Sequence, residues 1–369
     1  MSGIPLSERR LRVVVTIDTK VTGFELLAPG GVSGENPRVG RCDFFLNPPG
    51  PVDADFWIVF ANARPSDEMR CAPENTLFIA AEPEEKKVYP KRFYAQFHRI
   101  VDTHRRSGHP RVTLHAPCLS WQFGFNQTLA KFETGYVELI GMHPQETVRN
   151  KVSVVCSDAA FTPGQRERLL FLARLKERLG ENLVHFGRGF DPIDDKRDAI
   201  QGYRFHLAME NCRAPHYWTE KILDSYLGWA FPLYIGCPNL GEYFPDGSFL
   251  RLDINSPDQA ADRILAMLAK PRDEAETAAV AEGRELVLNK HNPWIMWAKW
   301  AEEFHDPRAK SGNLVIRSHK AFRPFPRGHM YRLKIALNER RGRHARSGSG
   351  ADIPNSFPSI RNPSHPSNE

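Results

Sequence analysis

Short apolar runs alternate with polar, Gly- and Pro-containing pieces along most of this chain, and they fall into two series. In the first, residues 11–17, 54–60, 76–80 and 97–101 are rich in Val, Ile and Phe, and each is followed by Asp, Asn, Glu or Thr. Short buried runs with polar ends are the pattern of parallel strands in an α/β domain. A helix over 89–97 leads into the fourth strand. The second series starts after a polar connector around 144–150, with strands predicted at 152–156, 183–186, 203–209, 231–235 and 249–252. Between its first two strands, Leu169, Leu170, Leu172, Ala173 and Leu175 mark a helix over 163–179 that Gly180 stops. These patterns predict one α/β domain over 1–145 and a second over 151–325, without internal repeats. A Trp-rich helix over 293–300 packs either across their junction or inside the second domain.

The segment 203–236 is the most informative. An apolar strand over 203–209 breaks into Glu210-Asn211-Cys212, which puts polar side chains at a strand's carboxyl end, where ligands of open α/β sheets sit. Thr219 then reads as a helix N-cap, with Glu220 and Lys221 in the first turn and Ile222, Leu223, Tyr226 and Leu227 on one face. A helix start with a lysine beside a crevice is suited to a phosphate.

Glu210-Asn211, Tyr217 and Thr219-Glu220-Lys221, followed by Pro232 and Gly236, resemble the donor-site signature of glycosyltransferase family 10, the α-1,3/1,4-fucosyltransferases. The spacing matches without a gap, and the resemblance reaches upstream through residues 154–158, 166–168 and 185–188 and downstream to Phe249. Three positions depart from the family pattern: Cys212 replaces a small hydroxyl residue, His216 an acid, and Trp218 an aliphatic. The resemblance implies a GT-B fold, two Rossmann-like α/β domains facing a central cleft, with the amino-terminal domain on the acceptor side and the second binding a GDP-sugar. It also implies an inverting transfer of fucose from GDP-fucose to a hydroxyl of a glycan, here a bacterial surface polysaccharide or lipopolysaccharide. Another GDP-sugar, or a non-catalytic glycan- or nucleotide-binding protein that keeps the donor cleft, is the alternative.

On that resemblance Lys221 and Arg168 neutralise the charge of a departing diphosphate, with Arg166 as the alternative to Arg168. Asn211 and Glu220 are ligands of the ribose and donor sugar, and Tyr217 contacts a phosphate or the sugar. The resemblance implies as acceptor base a carboxylate after an amino-terminal strand of the type found at 97–101. His104 stands nearest to that position, and Glu82, His109 and Asp102 are its rivals. No metal is expected, because Asp191, Asp194 and Asp195 read as the start of a helix rather than as a metal site.

Composition narrows the picture further. Among 369 residues, 41% are hydrophobic and 25% charged, and no stretch approaches the roughly 18 apolar residues of a membrane helix. Neither a signal peptide nor a CxxC pair is visible, so the sequence points to a cytoplasmic protein with six reduced thiols. The formal charge of +6 is concentrated in residues 323–346, not interleaved with aromatics as in a nucleic-acid site. This basic stretch either meets anionic lipid, placing the protein peripherally at the inner membrane face, or is a plain extension. Residues 340–369, basic and then rich in Ser and Pro, read as a disordered tail.

Overall fold

Val13, Val14 and Val15 are all fully buried because their strand, Leu11–Ile17, runs mid-sheet with both faces covered. The computed structural model describes residues 9–347. In the first sheet Leu11–Ile17 pairs in parallel with Cys42–Leu46 on one side and Phe56–Phe60 on the other. Thr76–Ile79, Arg99–Asp102 and Val112–Leu114 continue it in parallel, and Arg38–Val39 adds a short antiparallel edge. The expected helix over 89–97 is only the single turn Lys91–Tyr94, whose Phe93 and Tyr94 pack on Phe78.

The second sheet is wholly parallel, in the spatial order Leu183–Phe186, Arg149–Val155, Tyr203–Met209, Phe231–Ile235 and Leu250–Arg251. Successive strands therefore run outward in opposite directions from the pair Arg149–Val155 and Tyr203–Met209. The gap beyond the carboxyl ends of that pair is the topological switch point, where doubly wound sheets bind ligands. Helix Pro163–Leu179 follows the first of these strands. Its cap Thr162 accepts from the Gln165 amide while the Gln165 side chain accepts from Thr162 N, a reciprocal pair that fixes where the helix begins.

Both sheets are parallel α/β layers of the kind the GT-B reading requires, and their carboxyl ends meet. Ala116, just beyond the last strand of the first sheet, donates its N–H to the hydroxyl of Tyr243, which follows strand Phe231–Ile235 of the second, at 3.2 Å. The domain limits need correction. Residues 293–317, placed in the second domain from sequence, return to the first sheet. Trp294 packs on Phe24 and Phe44, Trp297 on Phe24 and Phe60, and strand Gly312–Arg317 pairs antiparallel with Ser66–Cys71. The Trp-rich helix Pro293–Phe304 buries its indoles there because the first sheet offers a Phe-lined face. One continuous apolar cluster, from Val13 through Leu207 to Trp297, joins both sheets, and Met1–Phe322 form one compact unit.

Arg323–Glu369 form the other unit. Helix Arg327–Ser347 occupies its described part, so residues 340–347 are helical rather than part of a disordered tail. Good helix formers such as Leu333, Lys334, Ala336 and Leu337 run through that helix. Residues 348–369 lie outside the described residues. Among the described residues no helix is long and apolar enough to cross a membrane. All six cysteines are buried and unbridged.

Candidate functional site

Glu210 leaves the end of strand Tyr203–Met209 and is 3% exposed. A buried carboxylate needs donors, and Thr219 supplies two: its N–H donates to Oε1 at 2.7 Å and its hydroxyl to Oε2 at 2.8 Å. Thr219 is the N-cap of helix Glu220–Leu227 by backbone conformation, but its side chain makes no cap bond because Glu210 has engaged it. Lys221 Nζ lies 2.9 Å from Thr219 Oγ1, 3.1 Å from Glu220 Oε1 and 3.5 Å from Glu210 Oε2.

A second lysine completes the cluster. Lys196 Nζ lies 3.3 Å from Glu220 Oε1 and 2.9 Å from Asp224 Oδ2. The other Asp224 oxygen accepts from the N–H groups of Gln122 at 2.7 Å and Phe123 at 2.9 Å. Burial pushes the Glu220 carboxyl up, but Lys221 and Lys196 outweigh it and hold the group below the usual carboxylate range. Burial likewise lowers the Lys221 ammonium, and Glu220 and Glu210 more than reverse that. For Glu210 burial wins, and its carboxyl is raised against the pull of Lys221 and Thr219.

Arg168 stands on helix Pro163–Leu179, 7% exposed, and its Nε is buried with no hydrogen-bond partner. Its charge acts on Lys221 and on Cys156 at the end of strand Arg149–Val155. The start of this helix presses on the Glu210 loop so closely that a Cβ at Gly164 would lie 2.4 Å from the Asn211 carbonyl oxygen. Asn211 itself is exposed at the switch point. Gly187 and Gly189, both at positive φ, bring the next loop against Cys156 and Asp158, where a side chain at either position would collide. Arg166 is turned away, with its guanidinium on the carbonyls of Ala160 and Phe161. Arg168 is therefore the cation that this helix aims at the cluster.

Next to Tyr217, His216 adopts φ +61, left-handed backbone that is costly for a residue with a side chain. Asn239 clamps it: the His216 N–H donates to Asn239 Oδ1 at 2.7 Å and Asn239 Nδ2 lies 3.1 Å from His216 Nδ1. The Tyr243 hydroxyl, which accepts from Ala116 N, lies 2.7 Å from the same His216 nitrogen. Tyr217 is 4% exposed, and its hydroxyl is pushed up by burial first and then by the charges of Glu210 and Glu82. Glu82 comes from the loop after strand Thr76–Ile79 of the first sheet, so the charge of a carboxylate from the other half acts on Tyr217.

Residues 148–275 match the family described as glycosyltransferase family 10 (fucosyltransferase), C-terminal part. This stretch of the chain belongs to glycosyltransferase family 10. An alpha-(1,3)-fucosyltransferase of Helicobacter pylori is 34% identical over 73 residues, which is 20% of this chain and 15% of that protein. A 3-galactosyl-N-acetylglucosaminide 4-alpha-L-fucosyltransferase of Bos taurus is 28% identical over 171 residues, 44% of this chain and 46% of that one. The chain thus spans less than half the length of these curated relatives. A solved alpha1,3-fucosyltransferase with GDP is 17% identical, covering 84% of this chain and 94% of that one with a TM-score of 0.45.

Within the family 10 stretch, the sequence-identified Glu220, Lys221 and Arg168 come together, with Tyr217 reached by the charges of Glu210 and Glu220. Lys196, Asp224, Asn239 and Tyr243 escaped the sequence reading. Asp224 falls one helical turn after Glu220, the only trace of it in the pattern. Of the carboxylates read as a helix start, Asp195 accepts from Arg197 N at 2.8 Å, as such a residue should, and also from Gly124 N at 3.0 Å. Asp194 accepts from the Thr128 hydroxyl at 2.7 Å.

The first-half candidates separate clearly. His104 Nδ1 accepts from Arg106 N at 3.2 Å, and Nε2 is buried 3.4 Å from Asp102 Oδ1 without a hydrogen-bond partner. Asp102 is 1% exposed, and His109 is tied to the backbone of Phe97 and Arg111. Glu82 is half-buried, with Lys86 at 2.8 Å.

Proposed function

We propose that this chain is an inverting fucosyltransferase that moves fucose from GDP-fucose to a hydroxyl of a glycan acceptor, in the assembly of a bacterial surface polysaccharide or lipopolysaccharide. The observation that carries the reading is the meeting of Arg168, Lys221 and Glu220 at the switch point of a family 10 sheet. A diphosphate carries negative charge that grows as it leaves, and preorganised cations in a site shielded from water stabilise that growth. Arg168 and Lys221 take this role. Glu220 and Asn211 hold the donor sugar and ribose, and Tyr217 contacts the phosphate or the sugar.

For the acceptor we assign the base to Glu82 in place of His104, because the Glu82 charge reaches Tyr217 from the first half while His104 Nδ1 is engaged by Arg106 N and Nε2 is buried. The acceptor hydroxyl gives its proton to the Glu82 carboxylate as its oxygen attacks the anomeric carbon, and the bond to GDP breaks on the opposite side. The chemistry assigned to these residues needs no metal. The helix Arg327–Ser347, with Met330, Leu333 and Leu337 exposed among basic residues, is proposed to give peripheral contact with anionic lipid.

Calorimetric titration of GDP, UDP and ADP with and without magnesium, followed by acceptor-dependent GDP release from GDP-fucose, tests the reading. Selective, magnesium-independent GDP binding with release supports it. Binding without turnover over a broad acceptor panel makes the protein a binder, and preference for UDP or ADP removes the donor assignment.

A further inference from the structure

We infer that Lys196 is a positioning residue of the donor site, acting on the donor through Glu220. The inference rests on the reading that Glu220 and Lys221 meet a nucleoside diphosphate sugar. Lys196 lies outside the motif that identifies the site, just before the short helix Arg197–Ile200, yet its side chain is only 10% exposed and its ammonium reaches helix Glu220–Leu227.

The arrangement differs from an ion pair that merely offsets Asp224. Lys196 divides its ammonium between Asp224 Oδ2 and Glu220 Oε1, and Glu220 Oε1 is also the oxygen that Lys221 contacts. One carboxylate oxygen therefore sits between two ammoniums. Each lysine supplies part of what Glu220 needs, so neither is fully neutralised by it. Lys196 and Lys221 are thus the two ammoniums in contact with the Glu210, Glu220 and Asp224 carboxyls, and the Arg168 charge acts on Lys221 beside them. Loss of Lys196 takes one positive charge from this site and leaves Lys221 as the one ammonium on Glu220 Oε1, the opposite of what a diphosphate requires.

Lys196 also ties this balance to the first half of the chain. Asp224 grips the N–H groups of Gln122 and Phe123, and the neighbouring Asp195 grips that of Gly124, so three consecutive amides end on carboxylates flanking Lys196. The lysine therefore sets the position of Glu220 relative to the segment that enters from the first sheet.

The test is calorimetric titration of GDP into the full chain carrying Lys196→Met, Lys196→Arg, Glu220→Gln or the double substitution Lys196→Met/Glu220→Gln, with thermal transitions recorded in parallel. Lys196→Met should weaken GDP binding about tenfold, the scale of one lost charge at partly buried range. Lys196→Arg should recover affinity to within about threefold, since it keeps the charge but not the geometry. In the Glu220→Gln background Lys196→Met should cost less than about twofold more, because the carboxylate through which it acts has gone. Lys196→Met alone strands the buried Asp224 carboxylate, so Lys196→Met/Asp224→Asn provides a folded counterpart that should show the same loss of affinity. A lowered thermal transition with wild-type GDP affinity, or full additivity with Glu220→Gln, overturns the assignment. If the wild type binds GDP and Lys196→Met binds it equally, only the role of Lys196 falls. A wild type that binds no GDP overturns the donor reading and this inference together.

Discussion

Thr219 donates both its backbone N–H and its hydroxyl to Glu210, although by conformation it stands at the cap of the helix that follows. The helix start is thereby fixed to the end of strand Tyr203–Met209, and the order Glu220, Lys221 is delivered to the switch point in one orientation. Thr219→Val keeps the shape and removes the hydroxyl, leaving Oε2 of a buried carboxylate with Lys221 alone. The expected cost is about 1–3 kcal/mol in urea unfolding, larger than for an exposed cap. A loss under 0.5 kcal/mol, on the order of a surface substitution, would show that the hydroxyl does not hold Glu210.

Arg168 is a buried cation whose Nε lacks a partner, a feature that costs stability and is retained where function needs it. Arg168→Met should leave the thermal transition unchanged or raise it by a few degrees while weakening GDP binding about tenfold or more. A fall in both properties would place Arg168 among the structural residues.

Glu82→Gln and His104→Ala together decide the base. Loss of a general base costs on the order of 10²–10⁴ in turnover. That loss is expected for Glu82→Gln with GDP affinity retained, whereas His104→Ala should stay within about tenfold of wild type. The reverse pattern, read in acceptor-dependent GDP release, would return the base to His104.

Two buried histidines contribute stability that rises with pH between about 4 and 6.5. Burial lowers the His206 imidazole to about 3 and that of His291 to about 4, so both rings are neutral in the folded chain. The unfolded chain binds a proton at each below about 6.5. Folding stability is complete above that value and falls as the pH drops toward the folded values, with a slope of roughly 1.4 kcal/mol per pH unit for each ring. Urea midpoints measured across this range should lose one proton's worth of slope in His206→Asn, and an unchanged slope would exclude His206 as its source.

Most of the second half is legible in the sequence because its strand, polar break and helix are contiguous between residues 203 and 227. Lys196 and Asp224 are not, for a physical reason. Asp194-Asp195-Lys196 reads as a helix start and does start one, while the destination of the lysine depends on how a later helix packs. The strand Ser66–Cys71 is hidden for a similar reason. It opens with three polar residues, Ser66-Asp67-Glu68, and its partner Gly312–Arg317 lies far along the chain, so no local signal announces the pairing. The first-sheet site residues were hardest to read, since a single base marked only by position leaves several titratable groups equivalent until their hydrogen bonds are seen.

That late pairing has a consequence for how the protein is made. As the chain leaves the ribosome, Ser66–Cys71 and the Phe24, Phe44 and Phe60 face emerge long before the strand and the two tryptophans that cover them. Such contacts close last, because the loop entropy must be overcome before they form. The nascent first half thus waits with an open strand edge and an uncovered aromatic face, both of which invite association with other chains. Separate expression of residues 1–145 should yield an aggregating fragment, and the yield of intact protein should depend on holdase chaperones during synthesis.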